Sequence, residues 1–148
     1  MKYSKIIIGS DHAGYDMKES VKKYIEAKGI EVVDKGPFSS ESVDYPDYAH
    51  SVSSAVNNKE FALGILLCGS GNGVCMTANK YENVRAALSW NAEIAKLSRQ
   101  HNDANILCMP ARFVSEEEAK SMIEEFLNTD FEGGRHENRK NKIAICKK

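Results

Sequence analysis

The sequence predicts an α/β protein built on a five-stranded parallel sheet. Short, continuously apolar segments alternate with amphipathic segments of helical period along most of the chain. Apolar runs of this kind, separated by helices, are typical of parallel strands that are buried on both faces. The 148 residues fit one domain with its own core. We therefore expect a three-layer, Rossmann-like sandwich formed by residues 1–148, with a basic helix in a C-terminal arm over residues 132–148.

Each element is predicted from its pattern and its end signals. A helix over residues 15–28 has Val21 and Ile25 on one face and ends at Gly29. Pro46 suits the first turn of a second helix, which reaches residue 57. Ser115 and Glu118 form a capping box for a helix over residues 115–127. The other predicted elements are strands over residues 5–9, 31–34, 63–68, 84–89 and 105–109, a helix from the glycines to residue 79, and a helix over residues 92–100.

Composition and charge exclude several classes of function. The formal net charge is −1, whereas a protein that mainly binds nucleic acid needs a strongly basic surface. No apolar run reaches transmembrane length, and residues 1–10 lack the apolar segment of a signal peptide. Cys68, Cys75, Cys108 and Cys146 show neither a CxxC pair nor zinc-type spacing with histidines. We expect a cytoplasmic protein with free thiols and no metal, which binds neither nucleic acid nor membranes.

The most informative segment follows the third predicted strand. Cys68 ends this strand, and Gly69, Gly71 and Gly73 follow at alternate positions before a helix. Glycines allow main-chain N–H groups to turn inward around an anion, and the start of a helix adds its positive end. The spacing is not the G-x-G-x-x-G of a dinucleotide site, so no such cofactor is expected. A thiol beside an anion cradle is a candidate base; the alternatives are a tight turn and a small buried cysteine.

Polar residues elsewhere are candidates that also have structural interpretations. Asp11 and His12 follow the first strand, at the sheet edge where ligands collect, and are expected near the glycine loop. Asp11 can equally cap the next helix. His101, near the end of a helix, can simply complement the helix dipole. Arg135 and Arg139 are four residues apart and would share a helix face suited to a phosphate group, or would be solvated.

Taken together, these motifs resemble those of ribose-5-phosphate isomerase type B. They occur in order over nearly the whole chain, and the wider family also contains galactose-6-phosphate isomerase subunits. The matching segments are Gly9-Ser10-Asp11-His12-Ala13-Gly14, Ser42-Val43-Asp44-Tyr45-Pro46, Cys68-Gly69-Ser70-Gly71, Ala78-Asn79-Lys80, Ser98-Arg99-Gln100-His101-Asn102-Asp103 and Gly133-Gly134-Arg135-His136.

The resemblance implies reversible conversion of D-ribose 5-phosphate and D-ribulose 5-phosphate in the pentose phosphate pathway, without a metal or organic cofactor. Cys68 would move the proton between C2 and C1, while the loop amides and the Ser70 hydroxyl hold the enediolate oxygen. His101, with Asp11 nearby, would open the sugar ring. The resemblance further implies a homodimer, in some members a tetramer, with shared active sites. The other implied substrate-binding residues are His12, Gly69, Gly71, Asn72, Gly73, Asn102, Arg112, Arg135 and Arg139.

Three questions arise at the level of sequence. Members of this family use either the cysteine or a glutamate directly after the third glycine as the base; Val74 occupies that position, so we expect Cys68 to serve. A non-catalytic phosphosugar-binding module would need the loop and the arginines, but neither Cys68 nor His101. A six-carbon substrate, such as allose or galactose 6-phosphate, is a further alternative to the pentose phosphate.

Overall fold

The computed structural model describes residues 2–145 and confirms the α/β sandwich. Cys146 lies outside these residues. No helix among them is both long enough and apolar enough to cross a bilayer. The strands are β1 (Lys5–Ser10), β2 (Glu31–Asp34), β3 (Gly64–Cys68), β4 (Ala86–Leu88) and β5 (Ile106–Pro110). The helices are α1 (Tyr15–Glu26), α2 (Tyr45–Asn57), α3 (Asn72–Ala78), α4 (Ala92–Asn102), α5 (Glu116–Asn128) and α6 (Arg135–Lys140).

The sheet is parallel throughout and is buried on both faces. Its strand order is β2-β1-β3-β5-β4. Because successive side chains of a strand point to opposite faces, Ile6 and Ile8 pack into one core with Val21 and Phe126, whereas Ile7 packs into the other. The first core lies under α1, α4 and α5, and the second under α2 and α3. Both faces need apolar residues, which explains the continuous apolar runs of the strands.

Most element boundaries agree with the predictions to within two residues, and the capping box of Ser115 and Glu118 is confirmed. The largest difference in length is at β4, which was predicted over residues 84–89 but has only three residues, Ala86–Leu88. This strand forms the edge of the sheet and pairs with β5 alone. The N–H of Val84 is used in a turn with Tyr81, and the N–H of Arg85 donates to the Asn105 side chain. The ladder therefore begins only at Ala86.

The topology places different segments at the two ends of the parallel strands, which we call the carboxyl edge and the amino edge of the sheet. The chain first moves outward from β1 to β2 and then returns to β3 on the other side of β1, so the strand order reverses between β1 and β3. The ends of β1, β3 and β5 define the carboxyl edge, where ligands collect in such sheets. Helix α4 runs back to the amino edge: it leads to Asn105, whose carbonyl accepts the N–H of Gly64 at the start of β3.

Candidate active site

Cys68 lies at the carboxyl end of β3, beneath the glycine loop. Only 4% of its surface is exposed. Its Sγ accepts a hydrogen bond from the main-chain N–H of Gly71 at 3.1 Å. An N–H donor aimed at sulfur stabilises negative charge on that atom. The strand therefore ends in a buried sulfur that is in direct contact with the loop.

The shape of this loop depends on two glycines for different reasons. Gly71 has a φ of +76°, and a Cβ at this position would lie 2.5 Å from Cδ1 of Leu88 and 3.2 Å from the carbonyl carbon of Met109. Gly73 has no such backbone constraint, but a Cβ there would lie 2.5 Å from the ring of Tyr45. The turn geometry accounts for Gly71, whereas close packing against the start of α2 accounts for Gly73.

The loop also carries main-chain N–H groups that are free to bind an anion. Within residues 2–145, the N–H groups of Gly73 and Val74 have no protein acceptor. The N–H of Asn72 donates to Oγ of the exposed Ser70 at 3.3 Å. The Val74 side chain is fully buried in the core. The position directly after the third glycine therefore offers a main-chain donor and no side-chain base.

Asp11 and His12 lie on the adjacent strand at the same edge. The N–H of Asp11 donates to the carbonyl of Leu67 at 3.1 Å, which places Asp11 beside the strand that ends in Cys68. Its Oδ1 accepts the N–H of Gly14 at 2.9 Å, so one oxygen serves the turn before α1. Nδ1 of His12 accepts the N–H of Val43 at 3.2 Å. A neutral His12 consequently carries its proton on Nε2, where it can donate to a ligand.

Arg112 brings a positive charge to this edge. Arg112 follows shortly after the end of β5, and its main-chain N–H donates to the carbonyl of Gly69 at 3.1 Å. Its Nη1 lies only 3.1 Å from the position that a Cβ on Gly69 would occupy, so the guanidinium folds against the loop. Together these side chains form what we call the carboxyl-edge group: Asp11, His12, Cys68, Ser70 and Arg112.

A second set of candidate residues surrounds the end of α4. The rings of His101 and His136 are stacked, with centroids 4.3 Å apart and planes inclined by 14°. Nε2 of His136 lies 3.5 Å from a carboxylate oxygen of Glu132, and the N–H of Glu132 donates to the carbonyl of Gln100 at 3.0 Å. The C-terminal arm is therefore fixed against the end of α4, with His136 buried.

Asn102 and the two arginines complete this second set. Arg135 and Arg139 lie on α6 with exposed side chains. Asn102, also exposed, lines a cavity of about 700 Å³ beside Tyr81, Arg85 and residues 143–145. We call His101, Asn102, Arg135 and Arg139 the amino-edge group.

The structure does not bring the two groups together within one chain. The register from Gly64↔Ile106 to Cys68↔Pro110 spans four residue steps, about 13 Å of parallel strand. His101 lies at the amino end of this span, while Asp11 and Cys68 lie at its carboxyl end. The resemblance placed His101 near Asp11, but within a single chain they occupy opposite edges. The reason is that α4 returns the chain from the carboxyl edge to the amino edge.

His101, Glu132 and His136 are also the only candidate metal ligands that cluster within residues 2–145. One ligand atom from each lies within 4.8 Å of the others. Two imidazoles and a carboxylate suit zinc, whose tetrahedral ligands are about 3.3 Å apart. However, nearly parallel rings direct their nitrogen lone pairs side by side and not toward a common point. As arranged, the three side chains do not form a metal centre.

The remaining described cysteines are part of the core. Cys108 is fully buried, and this burial raises the pKa of its thiol well above the ordinary value. Cys75, on α3, is half-buried, and its Sγ donates to the carbonyl of Ala86 at 3.5 Å. A hydrogen bond with Cys108 lowers the pKa of Cys75. Among the described cysteines, only Cys68 has its sulfur hydrogen-bonded to the glycine loop.

Sequence reasoning left several contributing residues unassigned. Tyr45 packs on Gly73, and Val43 orients His12, yet a packing ring and a main-chain N–H leave no pattern in a sequence. The sequence placed His136 in a matching segment but gave it no role of its own. The pair Gly133-Gly134 was a usable signal, because both have positive φ and turn the arm so that His136 reaches His101.

Comparison with known proteins gives one consistent family. A family model described as ribose/galactose isomerase matches residues 6–143. Ribose-5-phosphate isomerase B of Escherichia coli is 44% identical over 91% of this chain and 91% of its own length. The crystal structure of a ribose 5-phosphate isomerase from Thermotoga maritima is 50% identical, with a TM-score of 0.93 over 95% of this chain and 97% of that one. Ribose-5-phosphate isomerase B from Mycoplasma genitalium, with ribulose-5-phosphate bound, is 45% identical, with a TM-score of 0.90 over 94% and 93%.

Replacing Gly71 with Ala should destabilise the loop more than replacing Gly29 with Ala. Both glycines have positive φ, but a Cβ on Gly29 meets nothing within 4 Å, whereas one on Gly71 collides with the Leu88 side chain and lies in tight contact with the main chain of β5. We expect Gly29→Ala to cost about 1–2 kcal/mol and Gly71→Ala roughly 1–3 kcal/mol more. Urea unfolding of the two variants measures the difference, and equal losses would contradict the close packing of the loop.

Proposed function

The chain belongs to the ribose/galactose isomerase family and is an isomerase, and from this premise we propose that it interconverts D-ribose 5-phosphate and D-ribulose 5-phosphate with Cys68 as the base. The observation that carries the choice of substrate is the Mycoplasma genitalium relative, which has ribulose-5-phosphate bound and is 45% identical over 94% of this chain. The geometry of the carboxyl-edge group supports the choice of base.

The proposed reaction needs a base and a stabilised oxyanion. A proton on the carbon next to a carbonyl is only weakly acidic, and its removal leaves an enediolate with negative charge on oxygen. Sγ of Cys68 would take the proton from C2 and return it to C1. General base catalysis of this kind contributes roughly 10²- to 10⁴-fold to the rate. The position of the alternative base in the family holds Val74, whose side chain is buried and carries no proton acceptor.

The free donors of the loop would hold the enediolate oxygen. The N–H groups of Gly73 and Val74 have no acceptor among the described residues, and the Ser70 hydroxyl is exposed beside them. Each preorganised donor of this kind is worth about 10²- to 10³-fold in kcat. The Arg112 guanidinium and the Nε2–H of His12 are suited to the phosphate group, which supplies orientation away from the reacting carbons.

We further propose that two copies of the chain complete each site. His101, which would open the sugar ring, and Arg135 and Arg139, which would contact the phosphate, belong to the amino edge. A two-fold dimer can place the amino edge of one subunit against the carboxyl edge of its partner, and the same contact then builds two identical sites. Large exposed apolar side chains support such a contact: Met76 is 67% exposed, Trp90 53% and Phe113 76%. The edge strand β4 has no neighbour on its outer side in the described sheet.

The proposal includes a cellular setting. Interconversion of these two pentose phosphates belongs to the pentose phosphate pathway, and the proposed chemistry uses no metal or organic cofactor. Cys68, Cys75 and Cys108 are free thiols, as is usual in the reducing cytoplasm. On this basis we predict a cytoplasmic location.

The family description names galactose as well as ribose, so the substrate must be tested directly. We expect kcat/KM for ribose 5-phosphate to exceed the values for allose 6-phosphate and galactose 6-phosphate by at least about tenfold. Steady-state rates with the three sugar phosphates under one set of conditions measure this ratio. A higher kcat/KM for either six-carbon substrate would contradict the proposed activity and favour isomerisation of that six-carbon sugar phosphate.

Cys68→Ala should lower kcat by about 10²- to 10⁴-fold while leaving the binding of ribose 5-phosphate, measured by calorimetry, nearly unchanged. Cys75→Ala is the matched control, since Cys75 lies in α3 directly after the loop but contacts Ala86 and Cys108. Its activity should stay close to that of the wild type. Near wild-type turnover by Cys68→Ala would refute the base, and a wild-type protein that binds the sugar phosphate without turnover would favour the non-catalytic module.

A hybrid dimer tests whether the site is shared. We expect Cys68→Ala and His101→Ala each to be nearly inactive as pure proteins. If each site takes Cys68 from one subunit and His101 from the other, a hybrid of the two variants contains one fully wild-type site. Hybrids isolated with two different affinity tags should then recover about half of the wild-type kcat per dimer. No recovery in an intact hybrid dimer would show that each site uses one chain only.

A further inference from the structure

A lysine is among the largest fully buried side chains of the described residues. Lys18, on α1, has no exposed surface. Its Nζ lies 2.7 Å from Oδ2 of Asp34, at the end of β2, and 2.9 Å from a carboxylate oxygen of Glu19. The Asp34 side chain is itself only 5% exposed. A buried ion pair is often no more stabilising than apolar residues of the same volume, so stability alone does not explain this one.

Asp34 connects the ion pair to the carboxyl edge through two hydrogen bonds. Its second oxygen, Oδ1, accepts the N–H of Gly36 at 2.8 Å. The carbonyl of Gly36 in turn accepts the N–H of Ser10 at 3.0 Å. Ser10 is the last residue of β1 and directly precedes Asp11 and His12. The carboxylate that Lys18 holds therefore fixes the main chain that leads into His12.

The same ion pair also anchors the loop that orients the His12 ring. This loop connects β2 to α2 and begins directly after Asp34. The ring of Phe38, in the loop, lies with its centroid 5.5 Å from Nζ of Lys18, and the ring of Tyr15 lies at 5.3 Å. Cation–π contacts of this kind are attractive. Farther along the loop, the N–H of Val43 donates to Nδ1 of His12 at 3.2 Å.

We propose that the Lys18–Asp34 pair is a positioning device, which fixes the His12 imidazole so that its Nε2–H points to the substrate phosphate. One route runs from Asp34 through Gly36 to Ser10 and sets the main chain of His12. The other runs through the loop to Val43 and sets the ring and its tautomer. The phosphate contact rests on the function proposed above, whereas the fixed tautomer of His12 does not.

Lys22 provides a matched control in the same helix. Its Nζ also lies near Oδ2 of Asp34, at 3.4 Å, but its side chain is 27% exposed. No cation–π contact joins it to the loop in the described part of the chain. Lys22→Met therefore removes a positive charge beside the same carboxylate and leaves both routes to His12 in place.

The test uses the double variant Lys18→Met/Asp34→Leu, which removes both charges together and leaves neither one buried without its partner. ¹⁵N spectra of the imidazole, assigned with His12→Gln, report the tautomer, and thermal unfolding reports the folded state. We expect the wild type and Lys22→Met to show one tautomer with the proton on Nε2, and the double variant to show a mixture. KM for ribose 5-phosphate should rise about tenfold in the double variant, with kcat within about threefold of the wild type.

A folded double variant that keeps the single Nε2–H tautomer and the wild-type KM would overturn the proposal. If the double variant does not fold, Phe38→Ala takes its place, since this side chain is 73% exposed and contacts the Lys18 ammonium from the loop. It should shift the tautomer and KM in the same direction by a smaller amount, and wild-type values would again overturn the proposal. If the wild-type protein fails to isomerise ribose 5-phosphate, the proposed function falls, while the tautomer measurement still decides the positioning.

Discussion

The direction of a parallel sheet is the constraint on which the rest of this structure depends. Parallel strands must be joined by connections that run back to the start of the next strand. The carboxyl ends of the strands therefore lie at one edge, and the carboxyl ends of the connecting helices lie at the other. Between β1 and β3 the order of the strands reverses, and the hydrogen bond from Asp11 to Leu67 holds the two strand ends together there. The residues of the carboxyl-edge group come from three separate segments of the chain, but this one geometric rule collects them.

The same rule separates the chemistry into two halves. The proposed base and the proposed oxyanion donors lie at the end of β3 and in the loop that follows it. Main-chain contacts set the form of this loop: the carbonyl of Gly69 accepts the N–H of Arg112, and the N–H of Gly71 donates to Sγ of Cys68. His101 and the arginines depend instead on the arm, which the Glu132–Gln100 bond and the stacked imidazoles hold against α4. In the proposed dimer, the carboxyl-edge group and the amino-edge group of one site would come from different subunits. Loss of the dimer would then abolish activity without any change to Cys68 itself.

How much the sequence could predict follows from the range of the interactions involved. Strands, helices, the capping box of Ser115 and the neighbourhood of Asp11 and the glycine loop depend on local patterns and on the general rules of parallel sheets, and these predictions are confirmed. Strand β4 was predicted, but with six residues instead of three, because the N–H groups of Val84 and Arg85 donate to acceptors outside the ladder. The stack of His101 on His136 and the burial of Lys18 were missed, since each depends on a partner distant in sequence. The roles of the site residues stay predictions.

The burial of Cys68 fits the proposed shared site better than an isolated subunit. Only 4% of the Cys68 surface is exposed, and the low dielectric around its sulfur strengthens the electrostatic interactions that the sulfur makes, but the sulfur must still meet the sugar. In one chain, only the glycine loop and Arg112, which is folded against Gly69, cover the carboxyl edge. A partner that closes this edge would exclude water from the sugar, from Sγ and from the loop donors at once, and an enediolate is protected when water is excluded. The partner subunit would therefore have two effects at the shared site. It would place His101 near the sugar, and it would exclude water from Sγ of Cys68.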